Sequence, residues 1–177
     1  MRSSSLRIAP GSAADFRVLR EALAGAGLPH EDLDPSEHLF LMAREGDRLL
    51  GTIALEGRGE TALLRSLWVD PGRRGEGIAA RLCRELRALA RRRGVLDLYL
   101  LTTDARGYFE RQGFRVVDRE RAPENVRGAP SFNRFAPPPR SAWCGRCGTR
   151  RSDLRRARAR RGLAADDRVS RNPGAVV

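Results

Sequence analysis

The sequence predicts an α+β domain in which helices flank a mixed, mostly antiparallel sheet. Three apolar runs, at residues 38–44, 49–56 and 61–69, follow one another through short turns that contain glycine. Such a series is typical of an antiparallel meander. Two further segments, residues 16–26 and 78–89, carry apolar residues at helical spacing. This order of strands and helices favours a sheet with both antiparallel and parallel pairs, covered on its faces by helices.

The remaining elements complete this order along the chain. Ser12 and Asp15 have the spacing of a capping box, which predicts that the first helix begins just after them. Residues 95–102 form the most apolar run and are expected to be the central strand. Shorter patterns predict a first strand at 6–10, a short helix at 105–112, a strand at 114–118 and a last short strand at 132–135.

From the length and composition we expect one domain in a cytoplasmic protein. With 177 residues, of which 41% are hydrophobic, the chain can form one good core. No apolar run is long enough to span a bilayer and no signal sequence is visible, so no membrane association is expected. Cys83, Cys144 and Cys147 are too few for a disulfide framework. The single C-x-x-C pair lacks a second pair, so no metal site is expected, and Cys83 is expected to be buried in a helix.

The net charge of +12 belongs mainly to the C-terminal part of the chain. All 34 basic residues are arginines, and residues 141–177 contain 10 of them against 3 aspartates. We therefore expect a domain at residues 1–144 and a basic, disordered tail at residues 145–177. Such a tail could also serve as a nucleic-acid-binding arm, but the absence of lysine favours a compositional bias of the encoding DNA. Nucleic acid is therefore not expected as a partner.

The segment around Gly75 and Gly77 has the composition of an anion site. The sequence RGEGIA, at residues 74–79, joins the strand at 61–69 to the helix at 78–89. The unpaired amides and the dipole of a helix N-terminus attract negative charge, and glycine lets the backbone approach a ligand closely. A phosphate-bearing ligand is therefore expected at this turn.

Two motifs resemble those of the GNAT superfamily of acetyl-CoA-dependent N-acetyltransferases. Residues 74–79 fit its pyrophosphate signature, Arg/Gln-x-x-Gly-x-Gly/Ala, and residues 105–114 (ARGYFERQGF) resemble its A-x-x-(F/Y)-(F/Y)-x-x-x-G-F block. The resemblance covers about residues 6–144 and implies a GNAT-like fold. Four further segments are similar to one branch, the arsenic-resistance N-acetyltransferase-like proteins: AGLP at 26–29, LLRSL at 63–67, YLLTT at 99–103 and SAWC at 141–144.

The resemblance implies acetyl-CoA as a co-substrate whose acetyl group passes directly to the amine of a small-molecule acceptor. A backbone amide near Trp68 or Val69 would polarise the thioester carbonyl as a one-donor oxyanion hole. The residues implied in binding acetyl-CoA are Leu67, Trp68, Val69, Arg73, Arg74, Gly75, Glu76, Gly77, Ile78, Ala79, Thr103, Tyr108 and Arg111.

Catalysis also requires a proton acceptor for the amine and a proton donor for the leaving thiolate. Glu60, Glu56 and His30 are alternative candidates for the base. Members of the superfamily often have a tyrosine at the second aromatic position of the block, where this chain has Phe109. Because phenylalanine cannot donate a proton, the donor is either the neighbouring Tyr108 or water.

The acceptor side is expected to include His30, Arg65 and Ser66. Strand alternation points Arg65 and Ser66 to opposite faces, so one of them faces the acceptor pocket. Arg65 would suit an acceptor that bears a carboxylate, and an exposed side chain or an internal ion pair explains it equally well. A non-catalytic acetyl-CoA-binding regulator is the alternative to an enzyme. Homodimers are common in the superfamily, so the resemblance also allows a homodimer.

Overall fold

The computed structural model describes residues 5–57, 59–102, 105–134 and 141–146. The strands in these ranges form one sheet: β1 (Arg7–Pro10), β2 (Leu39–Glu45), β3 (Arg48–Glu56), β4 (Thr61–Val69), β5 (Asp97–Leu100), β6 (Arg115–Asp118) and β7 (Ser141–Arg146). The helices are α1 (Phe16–Gly25), α2 (Ile78–Arg92), α3 (Arg106–Arg111), α4 (Glu124–Arg127) and α5 (Pro130–Arg134), with short 3-10 turns at Ala13–Asp15, Pro71–Arg73 and Arg119–Arg121.

The strands lie in the order β1-β2-β3-β4-β5-β7-β6. Every neighbouring pair is antiparallel except β4 and β5, which are parallel. The predicted α+β class, with a mixed and mostly antiparallel sheet flanked by helices, is therefore confirmed. Within the described ranges, no helix has both the length and the apolar character needed to cross a membrane.

Alternation along β2 gives the sheet two buried faces. Phe40 and Met42 form a cluster with Leu19 and Leu23 of α1. Leu41, which lies between them, belongs to the main core that also contains the buried side chains of α2. Because successive side chains of a strand point to opposite faces, one apolar run supplies both clusters.

Helix α2 packs against the centre of the sheet through Ile78, Leu82 and Leu86, which are fully buried. Gly51 of β3 makes this close approach possible. A Cβ at position 51 would lie 2.9 Å from the backbone oxygen of Trp68 and 3.1 Å from Cδ1 of Leu82. Glycine therefore lets the first turns of α2 settle on β3, which fixes the helix N-terminus beside the end of β4.

Strand β4 contains a β-bulge at Ser66. The register with β3 shifts between Thr52 and Ala54, so that two residues of β4 lie opposite one residue of β3. Ser66 has a φ of +55°, and its carbonyl accepts a 2.9 Å hydrogen bond from the Thr52 hydroxyl. The parallel pairing of β4 with β5 covers only residues 61–63 of β4. Beyond this point the two strands diverge and leave the edge of β4 without a strand partner.

The end of the domain differs from its prediction. Residues 132–135 were expected to form a strand, but residues 132–134 belong to helix α5. Pro130 favours this outcome because its fixed φ suits the first turn of a helix, where no N–H is needed. Strand β7 was not predicted because it lacks alternation and contains Gly145, a residue that is uncommon in strands. It continues past the expected domain boundary at 144, and the expected tail after Arg146 lies outside the described residues.

Candidate functional site

A cleft of about 810 Å³ opens where β4 and β5 diverge. Its walls come from the second half of β4, the end of β5, the first turn of α2 and the aromatic side chains of α3. Loop residues that follow α1 close its far side. Most of the residues predicted to bind acetyl-CoA line this cleft: Leu67, Trp68, Val69, Arg73, Arg74, Gly75, Gly77, Ile78, Ala79 and Tyr108.

The glycine turn and the N-terminus of α2 form an anion-binding corner of the cleft. Gly75 and Gly77 have φ angles of +85° and +76°, in the left-handed region that favours glycine. The first hydrogen bond of α2 runs from the Arg81 amide to the Gly77 carbonyl, at 3.1 Å. The amides of Ile78, Ala79 and Ala80 precede it and have no acceptor within the helix. The corner therefore offers backbone donors and the positive end of a helix dipole.

The two arginines of the turn have different roles. Arg73 donates from Nε to the Glu76 carboxylate at 2.7 Å and from Nη1 to Glu45 at 2.9 Å. These bonds lower the pKa of Glu45 and raise that of Arg73. The predicted contribution of Arg73 to the charge of the corner is therefore largely cancelled, and Glu76 braces the turn rather than lining the cleft. Within the described ranges, Arg74 lines the cleft without an ion pair.

Tyr108 lies in the wall of the cleft beside Phe109. Its hydroxyl lies 3.9 Å from the sulfur of Cys83, which is 1% exposed on α2 as predicted. Burial raises the pKa of the Tyr108 phenol, and the neighbouring thiol raises it further. Burial also raises the pKa of Cys83. Both groups therefore hold their protons at neutral pH, and Tyr108 is the one that reaches the cleft.

The cleft exposes the backbone edge of β4 beyond its pairing with β5. The predicted oxyanion donor, near Trp68 or Val69, belongs to this edge. At the bulge, the buried hydroxyl oxygen of Ser66 has no hydrogen-bond partner among the described residues, although Ser66 lines the cleft. An unpartnered buried hydroxyl beside a cavity is a group available to a ligand.

A buried polar cluster surrounds Arg65 in the wall of the cleft. The guanidinium donates to both carboxylate oxygens of Asp32, from Nη1 at 2.6 Å and from Nη2 at 2.9 Å. Nη1 also donates to Oε2 of Glu56 at 2.8 Å. Arg65 therefore forms an internal ion pair, which was one of the alternatives considered for this side chain. Although Arg65 lines the cleft, its charge is already matched by two carboxylates, which removes the reason to expect a carboxylate-bearing acceptor.

Glu56 is the centre of this cluster. It is 6% exposed, and its Oε2 also accepts a short hydrogen bond from the Ser131 hydroxyl. His38 Nε2 lies 3.5 Å from the same oxygen. Burial alone would raise the pKa of Glu56, but the hydrogen bonds from His38 and Ser131 and the charge of Arg65 outweigh it and lower the pKa. Glu56 is therefore ionised at neutral pH.

Several predicted site residues lie elsewhere. Glu60 is exposed before β4, and its carbonyl accepts hydrogen bonds from the backbone of the segment leading into β5. It stands at the paired end of the two strands, whereas the cleft opens at the other end, so the structure does not support Glu60 as the base. His30 binds the Leu28 carbonyl at 2.9 Å and does not line the cleft. Arg111 is exposed on α3 outside the cleft, and Thr103 lies outside the described residues.

Sequence reasoning did not identify Ser131, Asp32 or His38 as site residues. Ser131 lines the cleft from α5 and is separated from Glu56 by 75 positions in the chain. No local pattern marks it. No pattern in the loop that contains Asp32 indicates that this carboxylate reaches Arg65.

A mixed sheet whose parallel strands diverge, with a glycine turn leading into a helix N-terminus at the opening, defines a protein with a cleft for a phosphate-bearing ligand. The family described as "Acetyltransferase (GNAT) family" matches residues 9–114 of this chain. This match covers more than half of the sequence, and the chain therefore belongs to the GNAT acetyltransferase family. Comparison with curated proteins found no match.

Solved structures share the fold. A GNAT-family acetyltransferase from Staphylococcus aureus Mu50 has a TM-score of 0.65 and 17% identity, over 81% of this chain and 100% of that one. A GNAT-family acetyltransferase from Brucella melitensis in complex with acetyl-CoA has a TM-score of 0.53 and 27% identity, over 63% of this chain and 84% of that one. N-acetylglutamate synthase from Neisseria gonorrhoeae, solved with coenzyme A and L-arginine, has a TM-score of 0.66 and 21% identity. The match covers 80% of this chain but only 33% of that protein.

Proposed function

We propose that this GNAT acetyltransferase transfers the acetyl group of acetyl-CoA to the amine of a small-molecule acceptor. The observation that carries the proposal is the cleft between β4 and β5, which has an anion-binding corner at one end and a buried polar cluster at the other. A donor with a charged diphosphate and a reactive thioester requires these two environments in one continuous space.

The chain's own residues fit the donor. The amides of the first turn of α2 and the charge of Arg74 would bind the diphosphate, while the Arg73–Glu76 pair keeps the turn in shape. The open edge of β4 would hold the extended arm of the donor by backbone hydrogen bonds. Acetyl-CoA supplies an activated acetyl thioester. An amide near Trp68 or Val69 would stabilise negative charge on the carbonyl oxygen during attack.

The leaving sulfur needs a proton or must depart as a thiolate. Tyr108 lines the cleft and keeps its proton at neutral pH. We assign it the role of proton donor, which Phe109 cannot fill.

We propose further that the acceptor is of the kind used by the arsenic-resistance N-acetyltransferase-like branch. Support comes from the placement of two of the four segments that carry the likeness. Ala26, Leu28 and Pro29 of the AGLP segment and residues 63–67 of the LLRSL segment all line the cleft. Residues of both segments therefore line the cavity in which we propose that the acceptor binds. A toxic or arsenic-bearing amine is the acceptor class that follows.

Binding of the donor is tested by thermal unfolding with acetyl-CoA. Ligand at 100 times its Kd stabilises a protein by about 2.7 kcal/mol, which corresponds to about 5–10 °C in Tm for a domain of this size. Gly77→Val should abolish the shift, because valine rarely adopts the φ of +76° required at the corner. Gly94→Val is the matched control: Gly94 has a φ of +85° at the other end of α2, and its variant should keep the shift.

Transfer is tested by the release of free CoA thiol with a panel of amines. The panel contains amino acids, phosphinothricin-like and arsenic-bearing amino acids, polyamines and aminoglycosides. We expect thiol release with at least one toxic or arsenic-bearing amine of the panel and formation of its N-acetyl product by mass spectrometry. Binding of acetyl-CoA without thiol release for any amine would contradict the proposed transfer.

A further inference from the structure

The buried cluster reaches the cleft through two side chains. Of its members, Arg65 and Ser131 line the cleft, whereas Glu56, Asp32 and His38 do not. A guanidinium has only donors and does not lose its proton in proteins, so Arg65 cannot accept one from a ligand. A hydroxyl can accept one hydrogen bond while it donates another. Ser131 is therefore the member of the cluster through which a proton can leave the cleft.

Ser131 already has the first half of such a path. Its side chain is almost fully buried, with 4% of the residue exposed, and its hydroxyl donates to Oε2 of Glu56. Because this bond uses the hydroxyl proton, the lone pairs of the oxygen remain to accept a proton from a group in the cleft. The second carboxylate oxygen of Glu56, Oε1, is buried and has no hydrogen-bond partner among the described residues. The carboxylate as a whole therefore accepts fewer hydrogen bonds than it could, and the proton from Ser131 would arrive on Oε2.

We propose that Ser131 relays a proton from the acceptor amine to Glu56, so that a serine and a buried glutamate together act as the general base of this enzyme. The inference rests on the proposed function and names the proton path of that same site. Ser131 is the catalytic residue in this proposal, because it lines the cleft and would contact the acceptor. Glu56 acts through it, and Arg65, Asp32 and His38 are positioning residues.

The step balances in atoms and charge. The amine nitrogen attacks the thioester carbon, a C–N bond forms, and the carbonyl electron pair moves onto oxygen. A proton on this nitrogen then passes to Oγ of Ser131 while the hydroxyl proton of Ser131 passes to the Glu56 carboxylate. The carbonyl re-forms, the C–S bond breaks, and the sulfur leaves with the electron pair. After the product departs, the proton on Glu56 returns through Ser131 to solvent.

The surroundings of Glu56 set it up for this task. Arg65 on β4 donates to its Oε2 and is itself held by Asp32 of the loop after α1. His38 approaches the same oxygen from the residue before β2, and Ser131 approaches it from α5. These groups keep the carboxylate ionised and lower its pKa. The ionised carboxylate can take a proton during the reaction, and because its pKa is lowered it releases that proton again between turnovers.

The test is Ser131→Ala, measured by thiol release with the acceptor identified in the screen. We expect kcat to fall about 100-fold, in the range for loss of a general base, with the Kd of acetyl-CoA unchanged. Ser131→Thr, which keeps the hydroxyl, should recover most of kcat. Ser12→Ala is the matched control, since Ser12 also donates its hydroxyl to a carboxylate, that of half-buried Asp15 outside the cleft, and this variant should have wild-type kcat.

A second variant, Glu56→Gln, keeps the size of the side chain but cannot take the proton. It should lower kcat as much as Ser131→Ala, and the double variant should lose little more, because the two residues act in one path. A Ser131→Ala enzyme with unchanged kcat, or losses that multiply in the double variant, would overturn the relay while leaving acetyl transfer by the wild type intact. A wild type that binds acetyl-CoA but acetylates nothing would instead refute the proposed function.

Discussion

Neutralising Asp32 should destabilise the domain far more than neutralising an exposed carboxylate. The side chains of Asp32 and Arg65 are 6% and 7% exposed, and two hydrogen bonds of 2.6 and 2.9 Å join them. Removing one partner of a buried ion pair costs about 3–5 kcal/mol. Because Arg65 retains its 2.8 Å bond to Glu56, we expect Asp32→Asn to cost about 3 kcal/mol, near the lower end of that range.

The assay is thermal unfolding followed by circular dichroism. A cost of about 3 kcal/mol lowers Tm by about 6–12 °C in a domain of this size. The control is Glu21→Gln, which makes the same change of charge in the Arg17–Glu21 pair. That pair is joined at 2.6 Å, but its side chains are 80% and 60% exposed, so the expected loss is about 0.3–0.5 kcal/mol. Equal changes in Tm for the two variants would refute the argument that burial makes the Asp32–Arg65 pair important.

Three further outcomes follow from the cleft and its surroundings. Tyr108→Phe should lower kcat about 100-fold while the affinity for acetyl-CoA, measured by calorimetry, stays the same; an unchanged kcat would assign thiolate protonation to water. Arg74→Ala should weaken acetyl-CoA binding about 10-fold and reduce its dependence on salt, because a charge-assisted phosphate contact is lost. Folding lowers the pKa values of Glu56 and Glu45, so their stabilising contribution is present above the ordinary pKa of 4.5 and is lost as the pH falls through their folded pKa values. Tm should therefore stay constant from pH 7 to about pH 5 and decrease below about pH 4.

The sequence predicts those parts of the fold in which neighbours along the chain are also neighbours in space. Strands β2, β3 and β4 pair in order through short turns, so local periodicity is enough to place them. Strand β7 instead inserts between β5 and β6, and its pairing depends on partners far away in the sequence. Residues 132–135 are too short a segment for periodicity to separate strand from helix, and Pro130 decides the outcome.

The candidate site divides in the same way. Gly75, Gly77 and Arg74 were predictable as an anion-binding turn because a strand end, glycines and a helix start lie within a few residues. The environment of Arg65 was not predictable, because Asp32 lies 33 positions away in the sequence. Whether Arg65 contacts solvent, an acceptor or an ion-pair partner depends on where the loop that contains Asp32 folds. The relay residue Ser131 carries no local signal, and only the position of α5 in the folded domain brings it to Glu56 at the end of β3.

At the bulge, β4 contains one residue more than the paired segment of β3. The extra residue, Ser66, lies where the cleft opens. Deleting that residue would let β4 run straight, relieve the left-handed backbone at φ +55°, and favour continued pairing with β5. We expect such a protein to gain stability and to lose the open edge of β4 that lines the cleft. Selection for activity therefore maintains an irregularity that selection for stability alone would remove, and stabilising substitutions sought by library screening should avoid residues 64–69.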